Sequence, residues 1–130
     1  VLPTETIEPL RTAAQAAVDK KAFHMVGLEV SGLSSFTDSF LLCSGASDRQ
    51  VGAIAEEVER RLRDDGRRPL HVEGAPHSEW ILLDYGDFIV HVFTEEKRSY
   101  YALDSLWGDA PRVDQTSLGI TDNGASEDPI

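Results

Sequence analysis

The stretch SEWILLDYGDFIVHVF at residues 78–93 constrains the fold most, because two apolar runs flank a Tyr-Gly-Asp that suits a tight turn. With Gly86 and Asp87 as the turn residues, glycine first as a type II′ turn prefers, the register of a hairpin follows. Tyr85 then faces Phe88, and the pairs continue as Asp84 with Ile89, Leu83 with Val90, Leu82 with His91, Ile81 with Val92 and Trp80 with Phe93. Side chains alternate between faces, so these pairs sort into two sets. Ile81, Leu83, Tyr85, Phe88, Val90 and Val92 form a face that is apolar apart from the tyrosine hydroxyl and belongs under helices. Trp80, Leu82, Asp84, Ile89, His91 and Phe93 form the other.

Two readings of that second face stand side by side. Covered by helices, it obliges Asp84 and His91 to find buried partners, since an unmet polar group costs roughly 2 kcal/mol. Left partly open, it has the composition of a protein-binding hot spot: aromatic and aliphatic anchors with a few polar groups.

Around the hairpin the chain reads as helix, two strands, helix, three strands, helix. In TETIEPLRTAAQAAVD, Ile7, Leu10, Ala14, Ala17 and Val18 recur near a helical period, and Pro9 suggests a start nearer Ile7 than Thr4. MVGLEV at 25–30 and SFLLCS at 39–44 are strand candidates. In ASDRQVGAIAEEVERRLRDDG, Val51, Ile54, Ala55, Val58 and Leu62 mark one helix face, with Ser47 or Asp48 to cap it and Gly66 to end it. A short strand, PLHVE, precedes the hairpin. Thr94 can cap a last helix carrying Tyr100 and Leu103. A helix between the second and third strands is the pattern of a crossover and a parallel pair. The expectation is an α/β fold: a compact mixed sheet of about five strands, parallel and antiparallel, with flanking helices.

At 130 residues the chain has room for one core. Residues 1–112 are expected to form a single domain, and residues 113–130, with four acids, no base and no periodicity, a flexible acidic tail. No run approaches the roughly 18 apolar residues of a membrane span, and the start lacks the pattern of a secretory signal. The single cysteine, Cys43, sits in an apolar run and reads as a small core residue. Cytoplasm is the expected location. The formal net charge is −11, and with the tail set aside residues 1–112 keep 19 acids against 12 bases, net −7. Such a field repels nucleic acid and suits a basic protein partner.

The candidate chemistry is sparse. Gly45, Ala46 and Ser47 before a helix, with carboxylates far downstream, resemble a nucleotidyltransferase's phosphate and metal site. Asp84 and Asp87, however, are three apart with the turn between them, so they form no tight metal-binding pair. His71, His77 and His91 match no ligand spacing. No G-x-S-x-G elbow supports a triad. The arginines of RRLRDDGRR at 60–68 read as a solvated surface near a helix end, with a phosphate-contacting patch as the alternative.

Four segments in order, TDSFLLCSGASDRQVGAIAEEV, then Glu73-Gly74, then WILLDYGDFIVHVF, then RSYYALDSLWGDA, resemble the Iojap-related ribosomal silencing factors. The resemblance covers about residues 5–112. It implies a small mixed α/β fold, nucleotidyltransferase-like in shape without the catalytic set, no enzymatic turnover and no cofactor. It also implies the activity. Members bind large-subunit ribosomal protein fourteen, a small basic protein at the intersubunit face, and block joining to the small subunit when nutrients are scarce. Homodimers are implied for the free protein. By position, Trp80, Leu82, Asp84, Tyr85, Gly86, Asp87 and His91 match one motif, Asp38, Gly45 and Ser47 another, and Arg98, Tyr101, Leu103 and Trp107 the last. Gln50 and Asp104 are mild departures. The expected partner-binding set is Trp80, Leu82, Asp84, Ile89, His91 and Phe93.

Overall fold

The computed structural model of the chain describes residues 4–32, 35, 37–74, 78–101 and 110–120, with residues 99–101 described by their backbone alone. Its elements are α1 (Thr4–Asp19), β1 (Phe23–Glu29), β2 (Ser39–Gly45), α2 (Asp48–Asp64), β3 (His71–Glu73), β4 (Trp80–Asp84), β5 (Phe88–Thr94) and α3 (Glu95–Tyr101). The five strands form one mixed sheet in the order β1-β2-β5-β4-β3.

The hairpin has the register the turn dictates: Trp80 faces Phe93, and the ladder runs to Asp84 facing Ile89. Gly86 supplies the positive φ, 92°, at the first turn position, and the Tyr85 N–H bonds to the Phe88 carbonyl at 2.9 Å. Ile81, Leu83, Tyr85, Phe88, Val90 and Val92 are all buried in one cluster with α1 and α2 residues.

The parallel pair differs from expectation. α2 does lead from β2 to β3, but the parallel neighbour of β2 is β5, and β3 is an antiparallel edge beside β4. Burial explains the choice: every residue of β2 and all but Ile89 of β5 are buried, which suits central strands, whereas all three residues of β3 are exposed.

α2 forms where its amphipathic pattern and caps agree. Ser47 accepts the Gln50 N–H at 3.1 Å, and Val51, Ile54, Ala55, Val58 and Leu62 turn inward. At its end Gly66 has φ 86°, the Gly66 N–H bonds to the Arg63 carbonyl and the Arg67 N–H to that of Leu62. That is a Schellman stop. α1 begins earlier than expected and holds Pro9 inside. Pro9 gives up a single N–H, and the turn before it is anchored by buried Thr6, whose hydroxyl lies 3.5 Å from the Asp87 carboxylate.

The boundary at residue 112 also moves. Glu29 donates to the Pro111 carbonyl at 2.7 Å, Val113 to the Gly27 carbonyl at 2.8 Å, and Leu118 and Ile120 are buried against the helix-side core. Gly27 makes the approach possible, since a Cβ there would stand 3.0 Å from that of Val113. The chain is therefore packed as far as Ile120, and residues 121–130 of the expected tail lie outside the described residues.

Candidate functional site

The second face of the sheet is not uniform. Val26 and Leu28 of β1, Phe40 and Leu42 of β2 and Phe93 of β5 are buried together with Val30, just past β1, and Ala110. Toward β4 and β3 the cover thins: Trp80, Leu82, Asp84 and Ile89 are half-buried, and His71 and Glu73 are exposed. These six side chains and Gly74 line a shallow cavity of about 330 Å³.

Two of the expected contact residues are thereby corrected. Phe93 is fully buried and His91 only 5% exposed, because β5 is a central strand whose second face is filled from the β1–β2 side. They act from beneath. Phe93 stacks on the Trp80 indole at 5.4 Å between ring centres, and the indole N–H donates to His91 Nδ1 at 3.2 Å. His91 also meets the Phe40 ring edge-on at 5.0 Å. Burial pushes its pKa down from 6.5 to about 4, so the ring is neutral at pH 7. Since Nδ1 accepts, the proton is on Nε2, which has no partner among the described residues. Trp80 is thus held on two sides while part of its surface stays open.

Asp84 has one oxygen engaged: Oδ1 accepts the Gly86 N–H at 2.8 Å and shapes the turn. His71 and Glu73, which pair at 2.6 Å, join the patch because β3 aligns His71 with Asp84 and Glu73 with Leu82. Extending the alternation of the hairpin to an edge strand HVE finds both; weighing His71 as a metal ligand hides them.

The other motif residues build the frame. Arg67 donates to Asp87 at 2.7 Å and lies 5.5 Å from the Phe88 ring centre, pinning the turn, while the Asp38 N–H bonds to the Asp87 carbonyl. The Tyr85 hydroxyl, pushed up to about 12 by burial, is in the core. A Cβ on Gly45 would meet Val51 and Ile54 at 3.2 and 3.3 Å, so glycine lets α2 close on the end of β2. Arg98 is buried and bonds to Ser44 Oγ at 2.9 Å and to the His24 carbonyl, tying α3 to β1 and β2. Cys43 is fully buried, its thiol pushed up to about 12. The side chain of Tyr101, together with Leu103, Asp104, Trp107 and His77, lies outside the described residues.

The phosphate-site pattern is not assembled. Gly45 aligns with Thr94 and Ser39 with Phe88, so the turn bearing Asp87 lies at the opposite end of the sheet from Ser47. The cleft at Ser47 is lined instead by Asp48, Glu79, Glu95 and Glu96, a field that repels phosphate. Among the described residues no three His, Cys, Asp or Glu side chains converge to hold a metal ion. In the basic cluster Arg60 and Arg61 pair with Glu57, holding its carboxyl down at about 2, and Arg61 also reaches Asp19.

The family described as "Ribosomal silencing factor during starvation" matches residues 3–129. The chain belongs to the ribosomal silencing factor family. That extent includes the C-terminal segment that the motifs above do not reach. The ribosomal silencing factor of Bacillus subtilis is 45% identical over 105 residues, 81% of this chain and 89% of the relative. A crystal structure of a Chromobacterium violaceum protein superposes with a TM-score of 0.75 at 34% identity, covering 82% of this chain and 88% of that one. One from Bacillus halodurans gives 0.73 at 41% identity, covering 82% and 97%. The mixed five-stranded sheet is thus the fold of these neighbours of the silencing-factor family.

Proposed function

We propose that this chain represses translation by docking on the large ribosomal subunit, through large-subunit ribosomal protein fourteen, and sterically blocking the small subunit when nutrients are scarce. The observation that carries the reading is the half-open patch of Trp80, Leu82, Ile89 and Asp84, with the indole fixed by His91 and Phe93. An aromatic anchor already held in one orientation loses little freedom on binding, and hot spots are enriched in such residues. The carboxylates of Asp84 and Glu73 at the patch, and 23 acids against 12 bases in the chain, suit a basic protein surface. The action is occlusion, so no reacting group is needed.

Sucrose-gradient sedimentation tests it. The protein should travel with free large subunits and lower the proportion of joined ribosomes, and a folded Trp80→Ala variant should do neither. Equal recovery of the variant with large subunits would reject the patch as the docking surface.

A further inference from the structure

We propose, resting on the docking reading above, that the cavity on the second face seats one arginine side chain of the basic partner. Its guanidinium bridges Asp84 and Glu73, and its methylene stem lies along Leu82 and Ile89. The register brings these four together. Glu73 of β3 stands opposite Leu82 of β4, and Asp84, two residues further along β4, stands opposite Ile89 of β5. Asp84 and Glu73 are thus diagonal neighbours on one face, roughly 7 Å apart between Cα atoms. Both line the 330 Å³ cavity, and among the described residues no lysine or arginine of the chain itself does.

Both carboxylates can take a new donor. Asp84 spends Oδ1 on the Gly86 N–H, and among the described residues nothing engages Oδ2. Glu73 is paired through Oε2 with His71 Nε2 at 2.6 Å, but the two side chains are 64% and 59% exposed, so the imidazole can turn out to water and give up its place. His71 therefore marks where a donor nitrogen of the partner sits on Glu73.

The spacing and the walls select arginine over lysine. A guanidinium presents five N–H groups in a planar fork and can donate to two separated carboxylates at once, whereas an ammonium is a point charge on a longer tether. The guanidinium is also the more weakly hydrated of the two, so it gives up less water on entering a cavity walled by Leu82, Ile89 and Trp80. Its stem covers the apolar surface that these side chains leave open. The Trp80 indole, held by Phe93 and His91, stays in the wall and leaves the space free.

The test titrates the full chain with N-acetyl-arginine methylamide and follows the backbone amide NMR shifts. The amides of Glu73, Leu82 and Asp84 should shift saturably, and N-acetyl-lysine methylamide should bind at least about fivefold more weakly. Asp84→Asn keeps an oxygen for the Gly86 N–H while removing the charge, and should lower the arginine probe's affinity about tenfold. His71→Ala frees Glu73 and should raise it, which loss of mere support for β3 would not do. With free large subunits, Asp84→Asn should need about tenfold more protein for half-maximal co-sedimentation. Equal affinity for the two probes, or an arginine affinity that Asp84→Asn leaves unchanged, overturns the proposal; co-sedimentation lost in Trp80→Ala then leaves the docking reading standing without it. An arginine-selective cavity in a chain whose Trp80→Ala and Asp84→Asn variants co-sediment like the wild type keeps the guanidinium site and rejects the docking reading.

Discussion

The two faces of the sheet are built from the same strands, one residue out of step, yet they meet different fates. On the helix side Leu41, Cys43, Ile81, Leu83, Val90 and Val92 are all buried, packed with Leu10, Ala14 and Ala17 of α1 and Val51, Ile54 and Val58 of α2. On the other side burial falls strand by strand, from Phe40, Leu42 and Phe93 at the centre to half-buried Trp80 and exposed His71 and Glu73 at the edge. Alternation decides which face a residue joins; the strand's place in the sheet decides how much water it meets. The uniform face is a core as far as β4; at the β3 edge its Val72, 42% exposed, lies beyond the cover of the helices. The graded one holds Asp84, His91 and the Trp80 indole N–H, and the proposed docking patch lies where its cover runs out.

The sharpest way to break that contrast is to remove one leucine from the uniform face. Leu83 is fully buried, and Leu83→Ala should cost about 3 kcal/mol of stability, read from urea unfolding, because the surrounding helices cannot collapse into the space. A loss under about 1 kcal/mol would mean that this face is not the close-packed one.

On the graded face the corresponding effect depends on pH. His91 titrates near 4 when folded, against 6.5 ordinarily, because burial disfavours its charged form. As pH falls below about 6.5 the unfolded chain takes up a proton that the folded chain refuses. Stability fully present above 6.5 is therefore lost progressively down to about 4, by about 3 kcal/mol. Measured across that window, the unfolding midpoint of the wild type should fall relative to that of His91→Phe as pH drops, the variant lacking this part of the slope. Parallel curves would place His91 in water.

The same contrast explains what was legible beforehand. The hairpin register could be read because one turn glycine fixes the parity of twelve side chains, and the helix-side face followed from it. That Phe93 and His91 are buried could not be read, because it depends on β5 lying between β2 and β4, a non-local pairing. The parallel partner of β2 was missed for the same reason. The packing of residues 113–120 left no periodic signal: Val113, Leu118 and Ile120 are too few, and backbone bonds to β1 place the segment. Pro9 misled in the opposite direction, since a local rule gave way to the anchoring of Thr6 beside Asp87.

Between the buried centre and the open edge stands Trp80. Trp80→Ala should weaken binding to the large subunit by about 2 kcal/mol or more, measured as a shift in the concentration needed for co-sedimentation, with helix and strand content unchanged by circular dichroism. His91→Phe, which keeps a ring beneath the indole but removes its acceptor, should fall between wild type and Trp80→Ala. Binding by His91→Phe as weak as that of Trp80→Ala would assign His91 a direct contact, against its 5% exposure.

The smallest effect separates the faces most cleanly. Leu82 and Leu83 are neighbours on β4 and point to opposite sides, one half-buried and the other fully buried. Leu82→Ala leaves no closed cavity, because Leu82 is itself half-open to the 330 Å³ cavity and water can occupy the space vacated, whereas Leu83 backs a groove beside α2 but is fully buried. Its stability cost should be about 1 kcal/mol or less, well under that of Leu83→Ala. Its loss should instead appear in ribosome binding, since the methyl groups removed are ones a partner would cover. If the two alanine variants unfold at the same urea concentration, the second face is as closed as the first, and the docking surface must be sought elsewhere on the molecule.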